Sequence, residues 1–61
     1  MKQPVPLRFH TIKQVAEQLV ANDRTVRRWI KSGKLKAIRI GSVIRISDED
    51  LRSFIARHRD H

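Results

Sequence analysis

Basic side chains that can hydrogen-bond an anionic partner are concentrated in the middle of this 61-residue sequence. The segment from Arg24 to Ser47 contains eight Lys and Arg residues and no Asp or Glu, whereas all six acidic residues lie outside it. Arginine matches phosphate, or the O6 and N7 atoms of guanine, with two parallel hydrogen bonds. Together with the formal net charge of +8, this segment predicts an anionic polymer as partner. A generally basic, solvated surface is the alternative.

Side chains for catalysis or metal binding are sparse. Without cysteine, the chain has neither a disulfide nor a thiolate metal site. His58, Asp60 and His61 are neighbours, but they lie at a C-terminus that we expect to fray. Gly33 and Gly41 are the only glycines, too few for a glycine-rich phosphate loop. The serines show no sign of an activating base. The sequence therefore predicts a protein that is not an enzyme and binds no metal, cofactor or small molecule.

The length allows one domain with a small core. No apolar run approaches the roughly 20 residues that a membrane-spanning helix needs. Residues 1–9 also lack the hydrophobic region of a signal peptide. We therefore expect a soluble, cytoplasmic protein that does not bind membranes.

A helix is predicted to begin after Thr11. Thr11 and Gln14 have the N-cap and N3 spacing of a capping box. The apolar residues that follow recur at i, i+3, i+4 and i+7, the pattern of an amphipathic helix: Ile12, Val15, Ala16 and Leu19. The short connection Val20–Ala21 leads to the next element.

A second helix, from Asp23 to about Ser32, is predicted to carry the first half of the basic segment. Asn22 is a favourable N-cap, and Gly33 suits the left-handed conformation that ends a helix. Its apolar side is Val26, Trp29 and Ile30. The opposite side carries Arg24, Arg28 and Lys31, with Thr25 and Arg27 on the flanks. Trp29 could instead stack on bases, but its spacing favours the core.

Alternating isoleucines and arginines predict a β-hairpin with strands over residues 35–40 and 43–46. If all the isoleucines face the core, Ile40 pairs with Ile44 and Ile38 pairs with Ile46. The loop then has three residues, 41–43. A two-residue Gly-Ser loop is disfavoured, because it would pair residues that face the core with residues that face solvent. In this register Arg39 faces Arg45 on the outer side. Like charges destabilise a sheet unless, for example, they straddle a phosphate backbone. Extension of both arginines into water is the alternative.

Ser47 is predicted to cap a third helix, whose first turn carries acidic residues that suit its positive end. Its inner stripe is predicted to be Leu51, Phe54, Ile55 and His58. Residues 1–10 are predicted to form an extended or loosely docked arm, and residues 11–59 are predicted to form the domain. Phe9 could pack this arm onto the domain. The fold class is therefore α+β, mainly α, in the order helix, helix, hairpin, helix.

This arrangement predicts a surface for double-stranded DNA. The major groove is about 12 Å wide and admits one helix, from which Arg24 and Arg28 are best placed to read bases. The hairpin tip allows the main chain to approach the DNA closely, in the minor groove. The predicted DNA-binding residues of the helix are Arg24, Thr25, Arg27, Arg28 and Lys31. Those of the hairpin and its flank are Lys34, Lys36, Arg39, Gly41, Ser42 and Arg45. The alternatives are a solvated helix face and a basic module that docks an acidic protein.

Several stretches resemble the excisionase-type, MerR-like helix-turn-helix family. They are Thr11-Ile12 with Val15–Leu19, Arg24–Ile30, Gly33–Leu35, Arg39–Gly41, Arg45-Ile46 and Asp50-Leu51. The resemblance covers roughly residues 11–57 and implies a winged helix-turn-helix fold, with a recognition helix at residues 23–32 and a wing tip at residues 41–43. Relatives often carry glycine in place of Val20 and an aromatic residue in place of Arg27.

The same resemblance implies an excisionase, a recombination directionality factor of a phage or integrative element. Such proteins bind and bend attachment-site DNA and direct a tyrosine or serine integrase toward excision, often binding cooperatively head to tail. The small size and the lack of an effector domain favour this architectural role. A small transcriptional regulator of the same fold is the alternative. The expected setting is the cytoplasm of a bacterial or phage-infected cell.

Overall fold

Side-chain caps define where the three helices begin. The computed structural model describes residues 8–59, in which the helices are α1 (Ile12–Gln18), α2 (Asp23–Lys31) and α3 (Asp48–Arg57). Thr11, Asn22 and Ser47 precede them, and each side-chain oxygen accepts a hydrogen bond from the backbone N–H three residues later, at 2.8–3.0 Å. Gln14 returns a bond to the Thr11 N–H at 2.9 Å and completes the capping box. The predicted starts of all three helices are confirmed.

One hydrogen-bonded motif ends both α1 and α2. In each case the N–H groups of the two residues after the C-cap return to carbonyls of the last turn, at 2.8–3.3 Å. The motif requires a left-handed residue directly after the cap, and φ is +51° at Val20 and +86° at Gly33. Glycine adopts this conformation freely, whereas a β-branched residue rarely does. Val20 is also 93% exposed, so its side chain contributes almost no burial to the turn between α1 and α2.

A three-stranded antiparallel sheet forms the wing and its base. The strands are β1 (Phe9–His10), β2 (Ile38–Ile40) and β3 (Val43–Ser47), in the spatial order β1-β3-β2. Strand β1 is not predicted by the sequence, because two residues are too short to show an alternating pattern. Phe9 pairs with Ser47, and Asp48 donates its N–H to the Arg8 carbonyl at 2.9 Å. Residues 1–7 of the predicted arm lie outside the described residues.

The hairpin register differs from the predicted one. The observed pairs are Ile38 with Arg45, Arg39 with Ile44 and Ile40 with Val43. The loop therefore has two residues, Gly41 and Ser42, and the predicted three-residue loop is wrong. A positive φ of +60° at Gly41, but not at Ser42, fits a type II′ hairpin turn. The predicted facing pair of Arg39 and Arg45 is also wrong, since these arginines lie on opposite faces of the hairpin.

Burial of Leu35 explains the observed register. Leu35 is 1% exposed and Ala37 packs against the core, so these alternate positions before β2 occupy the inner side. Side chains alternate along a strand, and Ile38 and Ile40 therefore point outward, where they are 40% and 71% exposed. The expectation that all four isoleucines face the core is wrong, because only the two in β3 do.

The core lies between the helices and the inner face of the sheet. Its buried residues are Ile12, Val15, Ala16, Val26, Leu35, Ile46, Leu51 and Phe54. Trp29 packs against this cluster, with its ring centroid 5.0 Å from that of Phe54, which confirms the predicted core role. Within residues 8–59, no helix has the length and apolar character needed to cross a membrane.

The inner stripe of α3 is shorter than predicted. Leu51 and Phe54 are buried in the core cluster, but Ile55 is 40% exposed because its side chain does not pack against that cluster. His58 is exposed as well, although its ring lies 4.5 Å from that of Phe54 and its Nδ1 is 2.8 Å from the Phe54 carbonyl.

Candidate nucleic-acid interface

Helix α2 presents its basic residues together on one exposed side. Its cations, all exposed, are Arg24, Arg27, Arg28 and Lys31. At about 100° per residue they span an arc of about 100°. Val26, on the opposite side, is fully buried and fixes the rotation of the helix, while Thr25 is half-buried at the margin. The ion pairs within residues 8–59 involve only Asp48, so the cations of α2 are available to an external anion.

Arg27 lies where α1, α2 and the wing meet. It lines a groove of about 330 Å³ shared with Lys13, Ser42 and Arg45. It also lines a groove of about 430 Å³ shared with Lys31 and Arg39. Residues that are far apart in sequence therefore form one continuous basic surface. We call it the helix–wing surface and define it as Lys13, Arg24, Arg27, Arg28, Lys31, Arg39 and Arg45.

The wing carries one arginine on each face. Arg39 shares its face with Ile44 and lies beside α2, whereas Arg45 lies on the outer face and donates a hydrogen bond to the Ile44 carbonyl at 2.8 Å. Gly41 and Ser42 are exposed at the tip. A Cβ atom at Gly41 would meet nothing within 4 Å, so this glycine is required for its backbone conformation and not for space.

The two lysines between α2 and the wing are placed apart from the helix–wing surface. Lys34 lines a different groove, together with Trp29, Ile55 and His58 near the end of α3. The Lys34 carbonyl accepts a hydrogen bond from Arg57 at 2.8 Å, which ties the loop after α2 to α3. Lys36 is exposed and lines neither groove of the helix–wing surface.

Asp48 connects the base of the wing to the helices. Its Oδ1 lies 3.1 Å from His10 Nε2 in β1, and its Oδ2 accepts from Arg52 Nε at 3.0 Å, one turn along α3. The hydrogen bond to His10, assisted by the nearby arginine charges, lowers the pKa of the Asp48 carboxyl below its usual value. His10 Nδ1 is also 3.2 Å from Gln18 Nε2 in α1. These contacts position the sheet against α1 and α3.

Lys13 is a candidate site residue that the sequence reasoning misses. It lies in the first turn of α1, well before the basic segment, and reaches the wing groove only because α1 packs against β3. Its exposed position opposite the apolar stripe is the only sequence signal.

Asp23 is the single acidic side chain lining the two grooves around Arg27. Within residues 8–59 there is no group of three His, Asp or Glu side chains that could hold a metal ion.

A comparison with protein families decides what this architecture is. The family model described as a helix-turn-helix domain matches residues 11–59, which is most of the chain. The chain belongs to the helix-turn-helix domain family. This helix-turn-helix domain consists of α1, the turn at Val20, and α2, followed by the wing and α3. Family membership supports sequence-specific binding of double-stranded DNA. A search of curated proteins finds no match to the chain.

Proposed function

We propose that this helix-turn-helix domain binds duplex DNA through the helix–wing surface. In this proposal α2 enters the major groove, and the wing lies over the adjacent minor groove. The observation that carries it is the convergence of exposed cations from α1, α2 and the wing, none of which is in an ion pair within residues 8–59. A cation held in an internal ion pair would oppose DNA binding, because that pair would have to be desolvated. Free cations instead displace counterions from the phosphates.

The position of each cation suggests its role. Arg24 and Arg28 are one turn apart at the outermost part of α2, where a two-point contact with guanine is possible. Lys31 is a compact charge near the end of α2 and suits a phosphate. Arg27, Lys13 and Arg45 line the groove between α2 and the wing, through which a DNA strand passing from the major to the minor groove would run.

A finer role is that of an excisionase, which bends attachment-site DNA and directs an integrase toward excision. The excisionase-like character of the matched family supports it. The same DNA-binding surface would also serve a small transcriptional regulator, so an experiment must separate the two.

DNA recognition is tested by selecting duplexes from a random-sequence pool and measuring their affinity for variants. Arg28→Ala should weaken binding to the selected duplex by roughly 1–3 kcal/mol and relax the preference at one base pair. Arg59→Ala removes the same charge from the exposed segment that follows α3 and is the matched control. Equal losses from both variants on every sequence would show that only net charge matters.

The excision role predicts an integrase gene beside the gene for this chain, and it is tested with that integrase and its attachment-site DNA. Added protein should promote excision and suppress integration in the purified reaction. An unchanged direction of recombination, together with a footprint at a promoter, would replace the excision role with transcriptional regulation.

A further inference from the structure

The end of the wing is apolar, and internal packing does not account for it. Ile40 and Val43 form the last pair of the hairpin and are 71% and 45% exposed. With Ile38 and Phe9 they line a shallow groove of about 190 Å³ on the outer face, whose one charged lining residue is Arg45. Exposed strand ends usually carry polar side chains, and a cluster of exposed apolar ones indicates a contact surface.

We propose that Ile40 and Val43 form an apolar wedge that enters the minor groove, partly unstacks one base step and kinks the DNA. The inference rests on the proposed DNA binding and adds a mechanism of deformation to it. Apolar side chains inserted between base pairs are an effective way to bend a duplex, because unstacking opens the minor groove and bends the DNA toward the major groove.

The shape of the tip supports insertion with deformation. The loop has only two residues, so Ile40 and Val43 lie directly across the hairpin from each other and point to the same face. Paired strands are about 4.8 Å apart, and the minor groove is about 6 Å wide. Because backbone atoms extend beyond these strand axes, the tip alone at least fills the groove, and two additional branched side chains require it to widen. Opening of a base step provides that width.

The charges around the wedge favour DNA over a protein as its occupant. Arg45 lies on the same face, two pairs further from the tip than Val43, and Arg39 lies beside Ile40 on the opposite face. These cations are placed to hold phosphates on either side of an inserted tip. A second copy of this chain carries the same net charge of +8, which opposes its docking against this patch in the absence of DNA.

The test uses a duplex selected by the protein, with 2-aminopurine placed in turn at each base step that the wing covers in a footprint. We expect bound protein to raise the fluorescence at one step, which reports unstacking, and to bend the duplex in a circular-permutation assay. The double variant Ile40→Thr/Val43→Thr keeps β-branched residues but makes the tip polar. This variant should abolish the fluorescence rise and reduce the bend. Its affinity for the duplex should fall by no more than about tenfold, because the lost apolar contact is offset by the unstacking energy that is no longer spent.

Ile38→Thr is the matched control, because Ile38 lies on the same face but two pairs further from the tip. It should leave unstacking and bending intact, and all variants should keep the melting temperature of the parent chain. Unstacking and bending that survive in the double variant would overturn the wedge. Equal loss of cooperative binding in the double variant and in Ile38→Thr, with bending unchanged, would assign the patch to contact with a second copy. Failure to bind any duplex would refute the proposed function itself.

Discussion

Val20 provides the sharpest test of how the turn between α1 and α2 is stabilised. It occupies the left-handed position of the motif that ends α1, with φ of +51° and a side chain that is 93% exposed. Gly33 occupies the equivalent position after α2, with φ of +86°. The chain therefore contains the same motif with the favoured residue and with a disfavoured one.

The effect of Val20→Gly follows from two opposing contributions. Removing a non-glycine residue from the left-handed conformation relieves about 1–2 kcal/mol, and valine lies toward the upper end because it is β-branched. The greater freedom of glycine in the unfolded chain opposes this by about 0.5–1 kcal/mol. Burial changes little, since the side chain is exposed. We expect Val20→Gly to raise the free energy of unfolding by about 0.5–1 kcal/mol. In so small a domain each kcal/mol raises the melting temperature by about 4–8 °C.

Urea and thermal unfolding, followed by helical circular dichroism and by Trp29 fluorescence, measure this difference. Val20→Ala is the control, because alanine keeps Cβ and most of the left-handed penalty. Gly33→Val makes the reverse change at a site where a Cβ atom would meet nothing within 4 Å, and should destabilise by about 1 kcal/mol for conformational reasons alone. A loss of stability in Val20→Gly, or equal gains from glycine and alanine, would refute the reasoning.

Three further predictions concern the site and its support. Affinity for duplex DNA should fall with salt, with a log–log slope of about −0.9 for each phosphate contacted; a flat response would rule out the electrostatic contribution of the helix–wing surface. Lys13→Ala should lower that slope by about 1 without changing base preference, and unchanged affinity and slope in this variant would remove α1 from the interface. Because the pKa of Asp48 is lowered in the folded protein, the stabilising effect of its carboxylate is present above the usual pKa of 3.8 and is lost as the pH falls through the lower folded value. Asp48→Asn should therefore be less stable at neutral pH and less sensitive to acid in unfolding experiments, and a parent-like acid transition would contradict the role of the His10 contact.

The helices could be read from the sequence because their signals are local. Thr11, Asn22 and Ser47 bond to N–H groups only three residues away, and the apolar stripes of α1 and α2 repeat within one element. The outward direction of Arg24 and Arg28 follows from the burial of Val26 on the other side of the same helix. These features depend little on the rest of the chain.

The hairpin register could not be read in this way, because it depends on distant packing. Four isoleucines in alternating positions suggested one inner face, but Leu35 and Ala37 already occupy the inner side ahead of β2. This shift separates Arg39 from Arg45 and leaves Ile40 exposed. Strand β1 and the approach of Lys13 to the wing likewise arise from tertiary contacts that no short pattern contains.

In the proposed complex, α2 and the wing contact the same DNA duplex. Backbone amide chemical shifts of the labelled protein, recorded during titration with a selected duplex, test it most directly. We expect the largest changes at residues 24–31 and 39–45, a smaller change at Lys13, and no change on the exposed side of α3. Changes centred on α3, or confined to α2 without the wing, would contradict it.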